Sequence, residues 1–84
     1  MQQVVKYPLS TEKAIKMMES ENALVFVVDR KGKKPQIKQE IEQLYGAKVK
    51  VVRTLIARDG TKHAYVVFAG DTPAIDIATK LGMM

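Results

Sequence analysis

The sequence contains no cysteine and only one histidine, His63. Without thiols the chain cannot form a disulfide, a thiolate nucleophile or a cysteine-based zinc site. The acidic residues are scattered and no second histidine accompanies His63, so a surface strand position explains this residue better than metal binding does. We therefore predict no catalytic residue, no metal site and no cofactor, and we expect that the protein is not an enzyme.

Long apolar runs are also absent. The longest run, Ala23–Val28, is far too short to cross a bilayer, and Met1–Leu9 lacks the apolar segment of a signal peptide. We therefore expect a cytoplasmic protein that does not insert into membranes. A length of 84 residues corresponds to one small domain, which we assign to residues 1–84.

Positive charge, in contrast, is abundant and localised. The chain has 14 Lys and Arg residues against 9 Asp and Glu residues, for a net charge of +5, and ten of the cations lie between Arg30 and Lys62. Such a patch suits a phosphate backbone or an anionic membrane surface. A solvated surface that keeps a small protein soluble would explain the same charge.

Hydrophobic periodicity and capping residues predict helix, strand, helix, strand, strand, helix, with an edge strand at Val4–Tyr7 in front. The helices are predicted at about Thr11–Ser20, Pro35–Tyr45 and Pro73–Leu81, and the strands at Ala23–Val28, Lys48–Arg58 and Lys62–Phe68. Ser10 or Thr11 is predicted to cap the first helix and Asp71 or Thr72 the last, while Asn22, Gly46 and Gly82 are predicted to end the three helices. The residues expected in the core are Leu24, Phe26 and Val28, then Ile37, Ile41, Leu44 and Tyr45, then Ala74, Ile77, Ala78 and Leu81.

The Asp59-Gly60 pair predicts a hairpin with a two-residue type I′ turn, because glycine accepts the positive φ that this turn requires. That turn would place Thr54 opposite Tyr65. The predicted core face of the hairpin consists of Val49, Val51, Leu55, Ala64, Val66 and Phe68. Arg53 also falls on this apolar face, so a bulge or a register error of one residue is expected there.

The order of elements also predicts the topology. A right-handed crossover would make the strands at Leu24 and Val51 parallel, and the strand at Val66 would lie between them. The sequence therefore predicts an α+β domain with a split β-α-β core.

Four stretches in register carry a resemblance to a known family. They are Tyr7–Ala14; Asn22–Val28 with Lys34, Ile37 and Lys38; Ile41 to Tyr45 with Lys48, Val49 and Val51–Leu55; and Gly60–Val66 with Asp76 and Ala78. Over nearly its whole length the chain resembles the family of the twenty-third protein of the large ribosomal subunit, in its archaeal form.

The resemblance implies an antiparallel four-stranded sheet with three helices packed against it. It implies a structural protein on the large ribosomal subunit that binds the third domain of the large-subunit rRNA beside the polypeptide tunnel exit. Neighbouring ribosomal proteins and the signal recognition particle are the implied protein partners. Glu12 corresponds to the family's docking glutamate.

The basic stretch and the resemblance together give a set of candidate rRNA-binding residues. They are Lys13, Lys31, Lys33, Lys34, Lys48, Lys50, Arg53, Thr54, Arg58, Lys62, His63 and Tyr65. The cations would reach phosphates, while Thr54 and Tyr65 would offer a hydroxyl and a stacking ring to an unpaired base. The chain departs from the family where Arg53 replaces a usual Asn, and its short Asp59-Gly60 turn cannot reach into the tunnel.

Two other classes of protein fit the residues. A free-standing RNA-recognition module has the same split β-α-β class but needs two or three aromatic residues at the sheet centre. A basic protein-interaction domain would use the positive patch on an acidic partner and would not bind RNA selectively.

Overall fold

A computed structural model describes residues 4–81 and has an α+β fold. Its elements are β1 (Val5–Pro8), α1 (Glu12–Glu21), β2 (Ala23–Val28), α2 (Lys34–Tyr45), β3 (Val49–Ile56), β4 (Lys62–Phe68) and α3 (Ala74–Lys80). The four strands form one antiparallel sheet in the order β1-β2-β4-β3. β4 therefore lies between β2 and β3, which confirms the split β-α-β core and the four-stranded sheet with three helices.

The boundaries of α1 follow from its flanking residues. The Thr11 hydroxyl accepts a hydrogen bond from the Ala14 amide at 3.2 Å, which satisfies one of the free N–H groups at the helix start. Asn22 ends the helix in the left-handed conformation, with φ at 56°, and its backbone N–H donates a hydrogen bond to the Met17 carbonyl. The predicted start and end of this helix are thus correct to within one residue.

The core lies mainly between α2, α3 and one face of the sheet. Every residue of β2 is buried, so this strand is covered on both faces. Ile37 and Ile41 of α2 have no exposed surface. The prediction that Leu44 is buried was wrong, because its side chain is 51% exposed. Tyr45 extends the apolar stripe in its place and stacks on Phe26 with 6.3 Å between ring centroids.

The hairpin turn differs from the predicted two-residue type I′ turn. The Gly60 amide donates to the Ala57 carbonyl at 3.0 Å, and the Ala57 amide donates to the Thr61 carbonyl at 2.8 Å. Gly60 has φ at 87°. This is a three-residue loop in which a tight turn is followed by a left-handed glycine, the second most common way to connect a hairpin.

The additional loop residue shifts the register of β3 against β4 by one. Arg53 faces Tyr65 and Thr54 faces Ala64, and a bulge lies between Val49 and Val51. The prediction that Val51 and Leu55 are core residues was therefore wrong, and they are 38% and 55% exposed. Val52 is buried instead. The shift also moves Arg53 off the core face and into solvent.

The start of α3 is capped from a distance. Asp71 and Thr72 do not cap it as predicted, because Pro73 holds the cap position and makes no side-chain cap hydrogen bond. The Asn22 side-chain oxygen instead accepts from the Ala74 amide at 2.7 Å. The predicted helix end at Gly82 lies outside the described residues.

We expect Gly60→Val to lower the free energy of unfolding by about 1–2 kcal/mol, because a β-branched residue is strained at this positive φ. Neither Gly60 nor Gly70 has an atom within 4 Å of the place where a Cβ would stand, but Gly70 has an ordinary φ. Gly70→Val is therefore the matched control and should leave urea unfolding almost unchanged. Equal midpoints for Gly60→Val and the wild type would contradict the turn described here.

Candidate nucleic-acid interface

Most of the candidate cations lie at one end of the sheet. Val28 at the end of β2 pairs with Lys62 at the start of β4, and Lys62 pairs with Ile56 at the end of β3. The β2–α2 loop and the β3–β4 turn therefore leave the sheet side by side. We call this region the basic end; its cations are Arg30, Lys31, Lys33, Lys34, Arg58 and Lys62.

The basic end is held in one arrangement by hydrogen bonds. The Lys62 ammonium donates to the Gly32 carbonyl at 2.7 Å and so joins the hairpin to the β2–α2 loop. Within that loop, Asp29 accepts from the Lys31 amide through its side chain at 2.9 Å and from the Gly32 amide through its carbonyl at 2.9 Å. The side chains of Arg30, Lys31 and Lys33 remain exposed, so the loop presents their charges to solvent.

Gly32 and Glu40 fix the loop against the rest of the domain. A Cβ at Gly32 would overlap Cγ1 of buried Val4, so only glycine allows this close approach. The Glu40 carboxylate of α2 accepts from the Val4 and Val5 amides at 2.8 and 3.0 Å. Charge-assisted bonds of this kind hold Val4 in place under Gly32.

The hairpin turn is stabilised by Asp59. Its carboxylate accepts from the Thr61 hydroxyl at 2.7 Å and from the Thr61 amide at 3.1 Å, and these two bonds lower the pKa of Asp59. Because folding lowers this pKa, the ionised Asp59 carboxylate stabilises the fold at pH values above the ordinary carboxyl pKa. This stabilisation is lost as the pH falls through the lowered pKa. The Thr61 hydroxyl also lies 3.2 Å from Nε2 of His63, which connects the turn to a side chain of β4.

Other candidate residues lie elsewhere on the domain. Lys48 is close to Asp71, with 3.6 Å between Nζ and Oδ2, at the opposite end of the sheet from Lys62. Lys13 is exposed in the first turn of α1. Glu12 begins the same helix with a side chain that is 88% exposed, and its carboxylate lies 3.8 Å from the Lys16 ammonium. The structure therefore does not gather the predicted cations into a single patch.

The face of the sheet opposite Phe26, which we call the open face because its β3 side chains are exposed, holds a smaller group. Arg53 and Tyr65 are cross-strand neighbours on this face, and His63 and Leu55 form the next pair. Thr54 points to the other side, opposite Ala64, so the prediction that Thr54 lies opposite Tyr65 was wrong, and the two side chains do not share a face. The register shift of the hairpin accounts for this change of partner.

Sequence reasoning missed several residues at these surfaces. Arg30 belongs to the basic end, although it is absent from the predicted set; its position in the basic loop was the available signal. Met17 and Glu21 of α1 line a groove with Lys50, Val51, Arg53, Tyr65 and Val67, with a volume of about 210 Å³. No pattern in the sequence could reveal this groove, because α1 and the hairpin are far apart in the chain.

The described residues offer neither a metal-binding cluster nor a membrane-spanning helix. Between residues 4 and 81, no three His, Asp or Glu side chains come close enough to bind a metal ion. Within the same range, every helix is too short or too polar to cross a bilayer.

The fold and the surface define a class: a small basic α+β protein with a split β-α-β core and exposed cations on ordered loops. The family of ribosomal protein L23 matches residues 3–79. The large ribosomal subunit protein uL23 of Tetrahymena thermophila is 48% identical over 81 residues, which cover 96% of this chain and 54% of that protein. The protein of the same name from Trypanosoma brucei brucei is 42% identical over 81 residues, which cover 96% of this chain and 49% of that protein.

The chain therefore belongs to the ribosomal protein L23 family. It spans about half the length of the curated relatives that it matches. Both of these relatives are eukaryotic, so the comparisons do not support the predicted archaeal form.

Proposed function

We propose that this domain is a structural constituent of the large ribosomal subunit and binds large-subunit rRNA through its basic end. The binding region would be the third domain of the rRNA, beside the polypeptide tunnel exit, and neighbouring ribosomal proteins would pack around it. The protein would then reside in the cytoplasm on the large subunit. Family membership supports this assignment, and it does not depend on the archaeal form.

The hydrogen bond from Lys62 to Gly32 is the observation that carries the proposal. It orders two basic loops beside each other before any partner binds, and preorganised cations lose less entropy on binding phosphates. Among residues 4–81, the structure has two salt bridges, at Glu12–Lys16 and at Lys48–Asp71. The cations of the basic end therefore have no acidic partner within 4 Å in this part of the chain.

We expect the double variant Lys31→Glu with Arg58→Glu to bind a fragment of the third rRNA domain about tenfold or more weakly. Both side chains are exposed, so the fold should be unaffected. Losing two phosphate contacts should also reduce the slope of log affinity against log salt by roughly 1.4–1.8. Fluorescence anisotropy across a salt series measures both quantities.

The matched control is Lys16→Glu with Lys80→Glu, which also lowers the net charge from +5 to +1 but places the change on exposed helix positions. The control should weaken binding far less and change the slope little. Equal losses in the two double variants would show that only net charge matters, and they would refute the assignment to the basic end.

We further propose that Glu12 is part of the docking site for the signal recognition particle. Its exposed carboxylate stands at the start of α1, where an acidic side chain is favoured by the helix dipole and still faces solvent. The contact with Lys16 leaves the Glu12 carboxylate available to a partner, because exposed ion pairs at this helical spacing contribute little to stability.

We expect Glu12→Ala to leave incorporation into the large subunit unchanged and to weaken binding of the particle to ribosomes several-fold, because one exposed charged contact is lost. Glu19→Ala, at another exposed position of α1, is the control and should have no effect. Co-sedimentation of purified particle with variant ribosomes measures the difference. A defect in subunit assembly, or undiminished docking, would contradict this role for Glu12.

The structure disfavours the free-standing RNA-recognition module. Such a module stacks bases on two or three aromatic side chains of its central strands. Phe26 and Phe68 are buried in the core here, which leaves Tyr65 as the aromatic residue of β2–β4 on the open face. A basic protein-interaction domain would be indicated if the rRNA fragment and an unrelated RNA bound equally weakly.

A further inference from the structure

We propose that the groove between α1 and the hairpin binds the guanine base of an unpaired nucleotide. This inference deepens the proposed function and rests on it, because the domain must meet RNA before a single base can enter the groove. Its wall on the sheet side is formed by Arg53 and Tyr65, and its wall on the helix side by Met17 and Glu21.

The groove combines the contacts that an unpaired nucleotide needs. Tyr65 is half-buried, and Val67 and Met17 add apolar surface to the groove, which suits the flat face of a nucleobase. Arg53 and Lys50 also line the groove, and their exposed side chains can bind the phosphates of the same nucleotide. The basic end and the groove share the β3–β4 hairpin, so one RNA strand could contact both.

The preference for guanine follows from Glu21. Its carboxylate carries two oxygen atoms that accept hydrogen bonds and cannot donate when ionised. Guanine alone presents two adjacent donors, N1–H and the N2 amino group, on its Watson–Crick edge; each of the other bases presents one donor there, beside an acceptor. Glu21 has no ion-pair partner within residues 4–81, so its oxygens are available for a base.

The test uses the full chain and short RNA oligonucleotides of uridine whose central base is guanine, adenine, cytosine or uracil. We expect the guanine-containing RNA to bind about fivefold or more tightly than the adenine-containing one. Backbone amide signals of the groove residues should shift in NMR spectra on addition of this RNA. Glu21→Gln should remove the preference for guanine, so that the guanine-containing and adenine-containing RNAs bind this variant equally, because glutamine offers only one acceptor oxygen.

Tyr65→Ala should weaken binding of the guanine-containing RNA about 5- to 150-fold through lost stacking. Tyr7→Ala is its matched control, since Tyr7 is 53% exposed on the same face of the sheet but does not line the groove. A circular dichroism melt of each variant shows whether it is folded. Glu21→Gln changes an exposed side chain and tests the proposal even if Tyr65→Ala unfolds.

Several outcomes would overturn the inference. Equal affinity for the four oligonucleotides, or amide shifts confined to the basic end, would exclude a guanine site and leave the rRNA assignment standing. An acidic peptide that shifts the groove signals when the oligonucleotides do not would assign the groove to a protein partner. If the rRNA fragment also fails to bind in the experiment on Lys31 and Arg58, the proposed function and this inference fall together.

Discussion

Asn22→Ala should lower the free energy of unfolding by roughly 2–5 kcal/mol, as measured by urea denaturation. The side-chain nitrogen Nδ2 of Asn22 donates to the carbonyls of Phe68, Ala69 and Thr72 at 3.0–3.2 Å, and its side-chain oxygen Oδ1 accepts from the Ala74 backbone amide at 2.7 Å. Alanine would remove all four of these bonds to partly buried backbone groups, although the Ala69 carbonyl would keep its bond from the Thr72 amide. It would also be strained in the left-handed conformation that ends α1.

Two variants make this result specific. Asn22→Asp keeps the acceptor but directs a negative charge at three carbonyl oxygens, so it should destabilise the fold at pH 7. The folded state would raise the pKa of the new carboxyl, so this loss should shrink as the pH falls through the raised pKa and should be gone below about 4. Gln39→Ala removes an exposed amide and should change stability by less than about 0.5 kcal/mol. If Asn22→Ala and Gln39→Ala lowered the free energy of unfolding equally, the capping of α3 by Asn22 would be refuted.

Ile41→Ala should cost about 2–5 kcal/mol, because the side chain is completely buried between α2 and the sheet and its removal leaves a cavity. For a domain of this size, each kcal/mol corresponds to a fall in Tm of about 4–8 °C. The loss is a large share of the total stability of a typical domain, about 5–15 kcal/mol. A thermal melt followed by circular dichroism measures it.

Leu44→Ala is the control on the same helix. The sequence pattern places Leu44 in the same stripe as Ile41, but the side chain is half exposed. Its replacement should cost under about 1 kcal/mol, since little apolar area returns to water and alanine favours the helix. Similar losses for Ile41→Ala and Leu44→Ala would contradict the packing of α2 described here.

Local signals in the sequence were sufficient for the order of elements and for most of their ends. Thr11, Asn22 and Gly46 mark helix boundaries through side-chain or backbone preferences that act within a few residues. The register of the hairpin could not be predicted from such local signals. Asp59-Gly60 is compatible with a two-residue or a three-residue loop, and the choice moves the β3 side chains from Val51 to Ile56 to the opposite face, while the bulge after Val49 leaves Val49 buried. The charged Arg53 on a predicted core face was the visible sign of that error.

Long-range hydrogen bonds could not be predicted from the sequence. Glu40 holds the amides of Val4 and Val5 from 35–36 residues away, and Asn22 caps Ala74 from 52 residues away. No spacing rule connects such pairs. The basic end was partly predictable, because the split β-α-β topology places the start of β4 beside the end of β2. The predicted hairpin likewise placed Lys48, at the start of β3, at the opposite end of the sheet from Lys62.

Sedimentation of a cell lysate on a sucrose gradient tests the central claim most directly. If this chain is a structural constituent of the large ribosomal subunit, it should travel with that subunit and remain there after a moderate salt wash. A tagged Lys31→Glu, Arg58→Glu variant should be released at lower salt than the wild type, while the Lys16→Glu, Lys80→Glu variant should not. A wild-type protein that stays at the top of the gradient would contradict the assignment to the ribosome.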